Sequence, residues 1–548
     1  MKYIYTYLCM LLLVLLACSN DSSNNKQGTD EPEEVPLPPI TGAPLLWGFD
    51  NAGSELDNTI TGELIDYFGF DLAIYHFHPQ KSGNSAAIQN LGTFYSNKNV
   101  RLLLNLESAN NDGSSFIDDN GFDWFNRPDG RHYFMFPEEV MNTLSNLPSG
   151  TGVMYDEAEH MQNRFRMEPS YFMKQDDAAS LEVASETFTN RVREIADYYK
   201  RYGIDTYTEH VFPIQFHTFA DGGLIPVSKI LKESCIPAYI ACSLGAAIQY
   251  GKPFWLSPDL WYYNEYPGHD ADQYQSALLM AYHMGAEAIY TENIAYPGDN
   301  GLGGLVKMNG NMTTYTVTEL GKVAKWFRWE YAPENPRSYR FTDLVPKVAI
   351  IRQEDACWGQ SASWLEDQLF GVEGWKSNET TEAWLELWHL LSNGEISPHS
   401  ICWHNDNVVT TPYTVFAPLD GVVVFDQKVE AKFLNGVELI FLTGIGVSEP
   451  TLNAVKDRVE QGAVCVALPH LVPDDVRHLT GDNGMLDSGL GKWVVTTSFL
   501  TNEVKNHVQA FLPQENYMRY RFGNTEVQFR PLNNNKDKIT VSVQPINH

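Results

Sequence analysis

Positive charge is scarce in this chain. Its 548 residues hold 38 Lys and Arg against 69 Asp and Glu, a formal net charge of −31. That deficit argues against nucleic acid and against an anionic membrane surface as partners, because both are bound through clustered Lys and Arg. A neutral substrate is the simpler expectation. Cysteine is sparse too: Cys9, Cys18, Cys235, Cys242, Cys357, Cys402 and Cys465 are spaced too widely for a disulfide framework or a CxxC metal clip. Cys235 and Cys242 stand beside an apolar run and read as buried free thiols. HExxH is missing, and the one HxH run is His76-Phe-His78, whose alternation puts both rings on one face. That pair reads as sugar contacts or packing; no metal and no cofactor are expected.

Aromatic residues are plentiful. They make up 13% of the chain, with 13 Trp and 28 Tyr, an excess that suits flat, amphipathic ligands such as sugars. The length itself calls for two or three domains.

The N-terminus reads as an export signal. Leu11 to Ala17 form an apolar run too short to span a bilayer, and Leu15-Leu-Ala-Cys18 resembles the bacterial lipobox, which implies lipidation of Cys18. Residues 1–18 are therefore expected as a lipoprotein signal peptide. The Ser-, Asn-, Glu- and Pro-rich residues 19–42 follow as a flexible tether. The expectation is a lipid-anchored protein of the bacterial cell envelope that meets the membrane through its lipid alone.

From residue 43 to 342, short apolar runs alternate with segments of helical period, the pattern of βα units around a parallel sheet. The expected strands are Leu45–Phe49, Asp71–Phe77, Val100–Leu106, Gly152–Tyr155, Asp205–Glu209, Ile236–Ala241, Pro253–Leu256 and Ala286–Tyr290. Helices are expected over Glu182–Arg201, Ala271–Met284 and, as the closing helix, Val317–Tyr331. Eight such strands suggest a (β/α)8 TIM barrel, with a doubly wound open sheet as the alternative. Polar residues recur where the strands end: Asp50 and Asn51; His76 and His78; Asn105, Glu107 and Asn110; Asp156, Glu157, Glu159 and His160; Glu209 and His210; Ser257 and Asp259; Glu292 and Asn293. A barrel gathers those ends on one face, where its chemistry is done.

Two carboxyl groups facing each other cleave a glycosidic bond, one giving a proton to the leaving oxygen and the other attacking the anomeric carbon or activating water. Glu157 and Glu292 are the candidate pair. Glu159 rivals Glu157 for the acid role, since the two would share a face if the strand ran on. Glu157 is preferred for standing nearer the apolar run, where burial raises an acid's pKa. Asp50, His76, His78, Asn105, Glu107, Asp156, Glu159, His160, Glu209, His210, Trp255, Asp259 and Trp261 are the expected substrate contacts. Trp47, Trp124, Trp255 and Trp261 are read as lying at strand ends where sugar faces stack. Insertions at 108–150 and 258–270 would wall the pocket and favour exo cleavage.

Past the Pro-rich boundary Ala332–Arg337, the runs Pro346–Ile351, Gly421–Phe425, Val437–Phe441 and Ala463–Ala467 predict a flavodoxin-like α/β domain over 343–485. It carries neither GxGxxG nor a P-loop, so no nucleotide is assigned. Alternation in Lys492–Thr497 and Ile539–Val543 predicts a small antiparallel β-domain over 486–548.

Barrel, flavodoxin-like domain and small β-domain come in the order seen in glycoside hydrolase family 42 β-galactosidases, whose middle domain forms trimers. Asp156-Glu157, Tyr290-Thr-Glu292 and the lipoprotein start resemble the family 164 β-mannosidases. These resemblances imply a retaining hydrolase of β-linked hexosides, β-mannosides ahead of β-galactosides, with Glu157 as acid/base, Glu292 as nucleophile and a homo-oligomer, trimer favoured. Two departures stand: Asp156 occupies the place of the larger clan's Asn, and Glu292 falls on the eighth counted strand where that clan's nucleophile is on the seventh. The competing readings are an inverting endo-glycosidase resembling family 98, with a base such as Asp259, and a non-catalytic surface glycan-binding lipoprotein.

Overall fold

A computed structural model describes residues 45–51, 56–77, 85–106, 136, 138–150, 152–159, 178–231, 235–260, 269–297, 304–310, 312–357, 369–371, 375–399 and 415–546. Cys18, His78, Glu107, Asn110, Trp124, His160 and Trp261, and with them the expected signal peptide and tether, lie outside the described residues.

Strands β1 (Leu46–Asp50), β2 (Leu72–His76), β3 (Arg101–Asn105), β4 (Gly152–Asp156), β5 (Asp205–His210), β6 (Ile225–Ile230), β7 (Trp255–Pro258) and β8 (Ala288–Thr291) pair in that order into a closed barrel. All pairs are parallel, and β8 returns to β1 through Leu46↔Ala288 and its neighbours. Helices α1 (Asn58–Phe68), α2 (Ser85–Asn97), α3 (Glu138–Ser145), α4 (Leu181–Lys200), α5 (Phe216–Asp221), α6 (Ile236–Tyr250) and α7 (Ala271–His283) connect consecutive strands. Their ends follow local chemistry. The Asp57 carboxylate accepts from the Thr59 and Ile60 N–H groups to start α1, and Gly69 in the left-handed region ends it. Asp270 and Gln273 form a reciprocal capping box on α7.

The sixth strand corrects the sequence reading. Ile236–Ala241, expected as a strand, is the start of α6, and the strand lies earlier, at Ile225–Ile230. Twelve residues of α6, from Ile236 to Ala247, are buried in an unbroken run. Both sides of this helix are covered, by the barrel and by the sheet that follows, so it lacks the polar stripe that marks a helix in sequence.

Past the barrel, β9 (Ala295–Pro297), β10 (Val306–Met308) and β11 (Tyr315–Val317) make a small sheet, and α8 (Glu319–Trp326) follows. A six-stranded sheet then forms from β12 (Val348–Gln353), β14 (Val422–Phe425), β15 (Leu439–Gly444), β16 (Val464–Ala467), β17 (Gly484–Ser488) and β18 (Gly491–Val495), ordered β14-β12-β15-β16-β18-β17. The first five of that order are parallel and reverse direction of growth at β12, the doubly wound pattern of flavodoxin-like sheets; β17 is an antiparallel edge. Lys492–Val495, expected in the terminal antiparallel unit, is therefore a parallel strand of this sheet. The last sheet joins β13 (Leu419–Asp420) to the meander β19 (Met518–Phe522), β20 (Thr525–Leu532) and β21 (Asn535–Pro545).

Candidate active site

The barrel interior explains how the site is built. Leu72, Ile74, Leu103, Met154, Tyr207, Ile225, Val227, Trp255, Ala288 and Tyr290 form one apolar cluster inside it, separate from the core between barrel and helices. Side chains alternate along a strand, so two residues beyond the last apolar inward position the next inward side chain appears. Continued strand by strand, this alternation gives Asp50, His76, Asn105, Asp156, Glu209 and Lys229 on β1 to β6, Asp259 just past β7 and Glu292 just past β8. Every strand thus supplies one polar side chain to a ring at the C-terminal mouth, the face on which barrels do their chemistry.

All eight ring residues are buried. On one side, His76 Nε2 lies 2.8 Å from Asp50 Oδ1, and the Asn105 amide reaches His76 Nε2 at 3.1 Å and donates to Asp156 Oδ2 at 3.0 Å. On the other side Lys229 is the hub. Its Nζ lies 2.8 Å from Glu292 Oε2, 3.3 Å from Asp156 Oδ1, 3.3 Å from Glu157 Oε1 and 3.8 Å from Asp259 Oδ2. Burial alone would pull the Lys229 pKa down, yet Asp156, Glu292, Glu209 and Glu157 together hold it well above the ordinary lysine value. Lys229 is the residue the sequence reading missed, because β6 was placed eleven residues too late, at Ile236 in place of Ile225. The signal was present in the run Leu224-Ile-Pro-Val-Ser-Lys-Ile230, whose alternation brings Lys229 to the same face as Ile225 and Val227.

Glu157 joins the ring by a backbone device. Strict alternation would send it outward beside inward Asp156, but it takes φ 50°, a left-handed conformation uncommon outside glycine, while its N–H still pairs with Glu209 O at 2.7 Å. The turn brings its carboxylate back to Lys229. Asn293, after β8, has the same left-handed backbone, with φ 70°. The expectation that Glu157 and Glu159 share a strand face is overturned by this turn. Glu159 leaves the mouth, and its Oε1 accepts from the Val211 and Phe212 N–H groups at 2.7 and 2.9 Å, pinning the loop after β5. Burial raises its carboxyl to about 8.

Other expected contacts fall elsewhere. His210 points outward: its ring stacks on Phe216, its Nδ1 meets Ile214 O at 3.0 Å, and burial lowers its pKa to about 3. Trp255 opens β7, four residues below Asp259, where it packs on Tyr207 with centroids 4.6 Å apart. Trp47 faces the helices, donating to Phe68 O and packing on Phe70 and Phe327. Neither is a stacking platform at the mouth, because each sits within its strand and not beyond it. Among the described residues no group of three or more His, Cys, Asp and Glu side chains is arranged to hold a metal ion.

The strand count also resolves one expectation. Glu292 follows β8, in a bridge with Asp259 after β7. The misplaced sixth strand leaves the total at eight, so Glu292 stays on strand eight and Asp259 takes the position after strand seven.

No protein-family model matches the chain, and no curated protein matches it. Among solved structures, similarity is found to the exo-β-1,4-mannosidase Op5Man5 from Opitutaceae bacterium strain TAV5, at 12% identity over 86% of this chain and 97% of that one, with a TM-score of 0.47. A family 30 endoxylanase from Clostridium papyrosolvens C71 aligns at 10% identity over 53% of this chain and 73% of its own, TM-score 0.31. A Rhizomucor miehei β-1,3-glucanosyltransferase aligns at 11% identity over 48% and 93%, TM-score 0.29. At these identities the likeness is one of chain path.

Proposed function

We propose that this protein is a retaining glycoside hydrolase in which Glu292 is the nucleophile and Glu157 the acid/base. The observation that carries the reading is the pair of contacts from Lys229 Nζ to Glu292 at 2.8 Å and to Glu157 at 3.3 Å. Laid end to end, those two legs set an upper limit of about 6 Å on the distance between the nearest oxygens of the two carboxylates, short of the roughly 6.5–9.5 Å that leaves room for a water in inverting enzymes.

The residues divide the work by position. Glu292 is buried and stands 2.8 Å from an ammonium, the counterion that suits a group attacking the anomeric carbon as an anion. Glu157 is the more exposed of the two, its side chain 12% accessible against 5%, which suits a group that meets the departing sugar. The ring holds one lysine and one histidine against Asp50, Asp156, Asp259 and Glu292, with Glu157 beside them, so it favours the positive charge that an oxocarbenium-like transition state develops. The same imbalance disfavours uronic acids and phosphorylated or sulfated sugars.

Exo action on β-linked hexosides, with β-mannosides ahead of β-galactosides, belongs to this proposal, as do lipid anchoring through Cys18 and a trimer. One observation favours a second reading. Asp259 is fully buried beside Glu292 and 3.8 Å from Lys229, so it could act as the base of an inverting mechanism. Azide separates the two: Glu292→Gly with azide should yield a glycosyl azide of inverted configuration and Glu157→Ala one of retained configuration. A first-formed product whose anomeric configuration is opposite to the substrate's would instead put Asp259 in the base role. Glycan binding without turnover by the wild type would favour a binding protein.

A further inference from the structure

Among the ring carboxylates, Glu209 stands within ion-pair distance of neither Lys229, which holds Asp156, Asp259 and Glu292, nor His76, which holds Asp50. Its side chain must enter the barrel, because Tyr207 two residues earlier lies in the interior cluster and the intervening Thr208 does not. It is fully buried, neither carboxyl oxygen meets a donor in good hydrogen-bond geometry, and the Tyr290 hydroxyl is the donor that lies against it. The Tyr290 phenol beside it donates to Met154 Sδ at 3.7 Å. Around it stand Asp156, its register partner on β4, with Lys229 on β6, Asp259 past β7, Tyr290 on β8 and Asp50 on β1.

An ionised carboxylate in so enclosed a place, with only a phenol turned partly toward it, would go poorly solvated. Burial, then repulsion from Asp156, Asp50 and Asp259, raises its pKa well above the usual value, and the attraction of Lys229 falls short of reversing this. A buried acid whose oxygens make no well-formed hydrogen bond has capacity left for something that enters the ring.

We propose that Glu209 is a substrate-binding residue that stands in the ring as a carboxylic acid and gives its O–H to a hydroxyl of the sugar bound there. This goes further than the glycosidase reading and rests on it for the identity of the acceptor. In the reaction its proton stays where it is; Glu209 orients the sugar, and the carbonyl oxygen of the same group accepts a second hydroxyl.

Two measurements test it. The first is kinetic. Glu209→Ala leaves a void and an unpaired hydroxyl, for a loss in kcat/KM of about 100-fold, while Glu209→Gln, which still donates and accepts, loses about tenfold or less. The acidic limb of kcat/KM against pH should stay at its wild-type position in Glu209→Gln. Equal damage from Gln and Ala would overturn the proposal, since that is the result an essential carboxylate gives. The second measurement is independent of turnover: the infrared difference between wild type and Glu209→Gln at pH 7 should show a carboxylic acid C=O band. A carboxylate band in its place would overturn the proposal even if no substrate were known. The acid band together with no binding or turnover of any glycoside would overturn the sugar as acceptor, which is a failure of the glycosidase reading and distinguishable from a failure of the acid.

Discussion

Lys229 shows what one side chain does to a site. One ammonium answers four carboxylates gathered at the barrel mouth. Lys229→Met should cost about 3–5 kcal/mol at pH 7, the usual penalty for stranding one side of a buried pair. The loss should grow from pH 5 to pH 8, because the stranded acids then hold protons in the folded state that the unfolded chain releases; a urea denaturation series at both pH values checks it. Glu159 gives a second expectation. Its folded pKa of about 8 lies above its ordinary value of 4.5, so the folded state binds the extra proton and stability falls as pH rises between the two. Glu159→Gln keeps the oxygen that accepts from Val211 and Phe212, and it should remove a decline on the order of 2–4 kcal/mol over that range. A melting temperature as pH-dependent as the wild type's would contradict it. Of these residues Asp156, Glu157, Glu209 and Glu292 were legible as strand-end acids. Lys229 was not, and the division between inward Asp156 and turned-back Glu157 depends on a φ angle that residue type alone does not announce.

At the scale of elements, α6 and β6 carry the lesson. A helix covered on two sides is apolar all round, so its sequence resembles a buried strand, and the real strand beside it was passed over. Contact makes the covering visible: a Cβ on Gly245 would meet Val424 O at 1.6 Å, so helix and sheet backbones touch there. Gly245→Ala should push α6 away from β14 and lower stability by about 1–3 kcal/mol or more, read as a drop in Tm. An unchanged Tm would show that this helix is free to move. The tryptophans are a related case. Trp47 and Trp255 were read as lying at strand ends, yet one residue of register decides whether such a ring faces the helices or the interior.

Across the whole molecule, the barrel is tied to the doubly wound sheet through buried polar groups as well as through α6. Glu354, just past β12, accepts from the Thr218 N–H at 3.2 Å and its hydroxyl at 2.8 Å, and His217 Nδ1 lies 3.7 Å away while His217 Nε2 meets Val424 O at 3.0 Å. Burial would raise the Glu354 pKa, but the hydrogen bonds of His217 and Thr218 and the charge of Arg352 lower it below its ordinary value. A depressed carboxylate stabilises above its unfolded pKa, and that contribution disappears as pH falls through the folded one. Acid should therefore loosen this seam, and Glu354→Gln should shift the acid-unfolding midpoint upward relative to wild type, followed by intrinsic fluorescence; an identical midpoint would remove Glu354 from the seam. The chain's periodicity was enough to foresee parallel βα units, because buried parallel strands must be apolar on both faces and their connections must be helical. It was also enough to place acids at strand ends, since the interior apolar run has to stop where solvent begins. What only the tertiary structure decided was which of those ends face one another and what stands between them. Closure of the barrel turns a difference of two residues along β6 into the arrival of a cation among four carboxylates, and no local pattern contains that closure. The same holds for α6, whose second apolar face has a meaning only once the sheet of β12 to β18 lies against it.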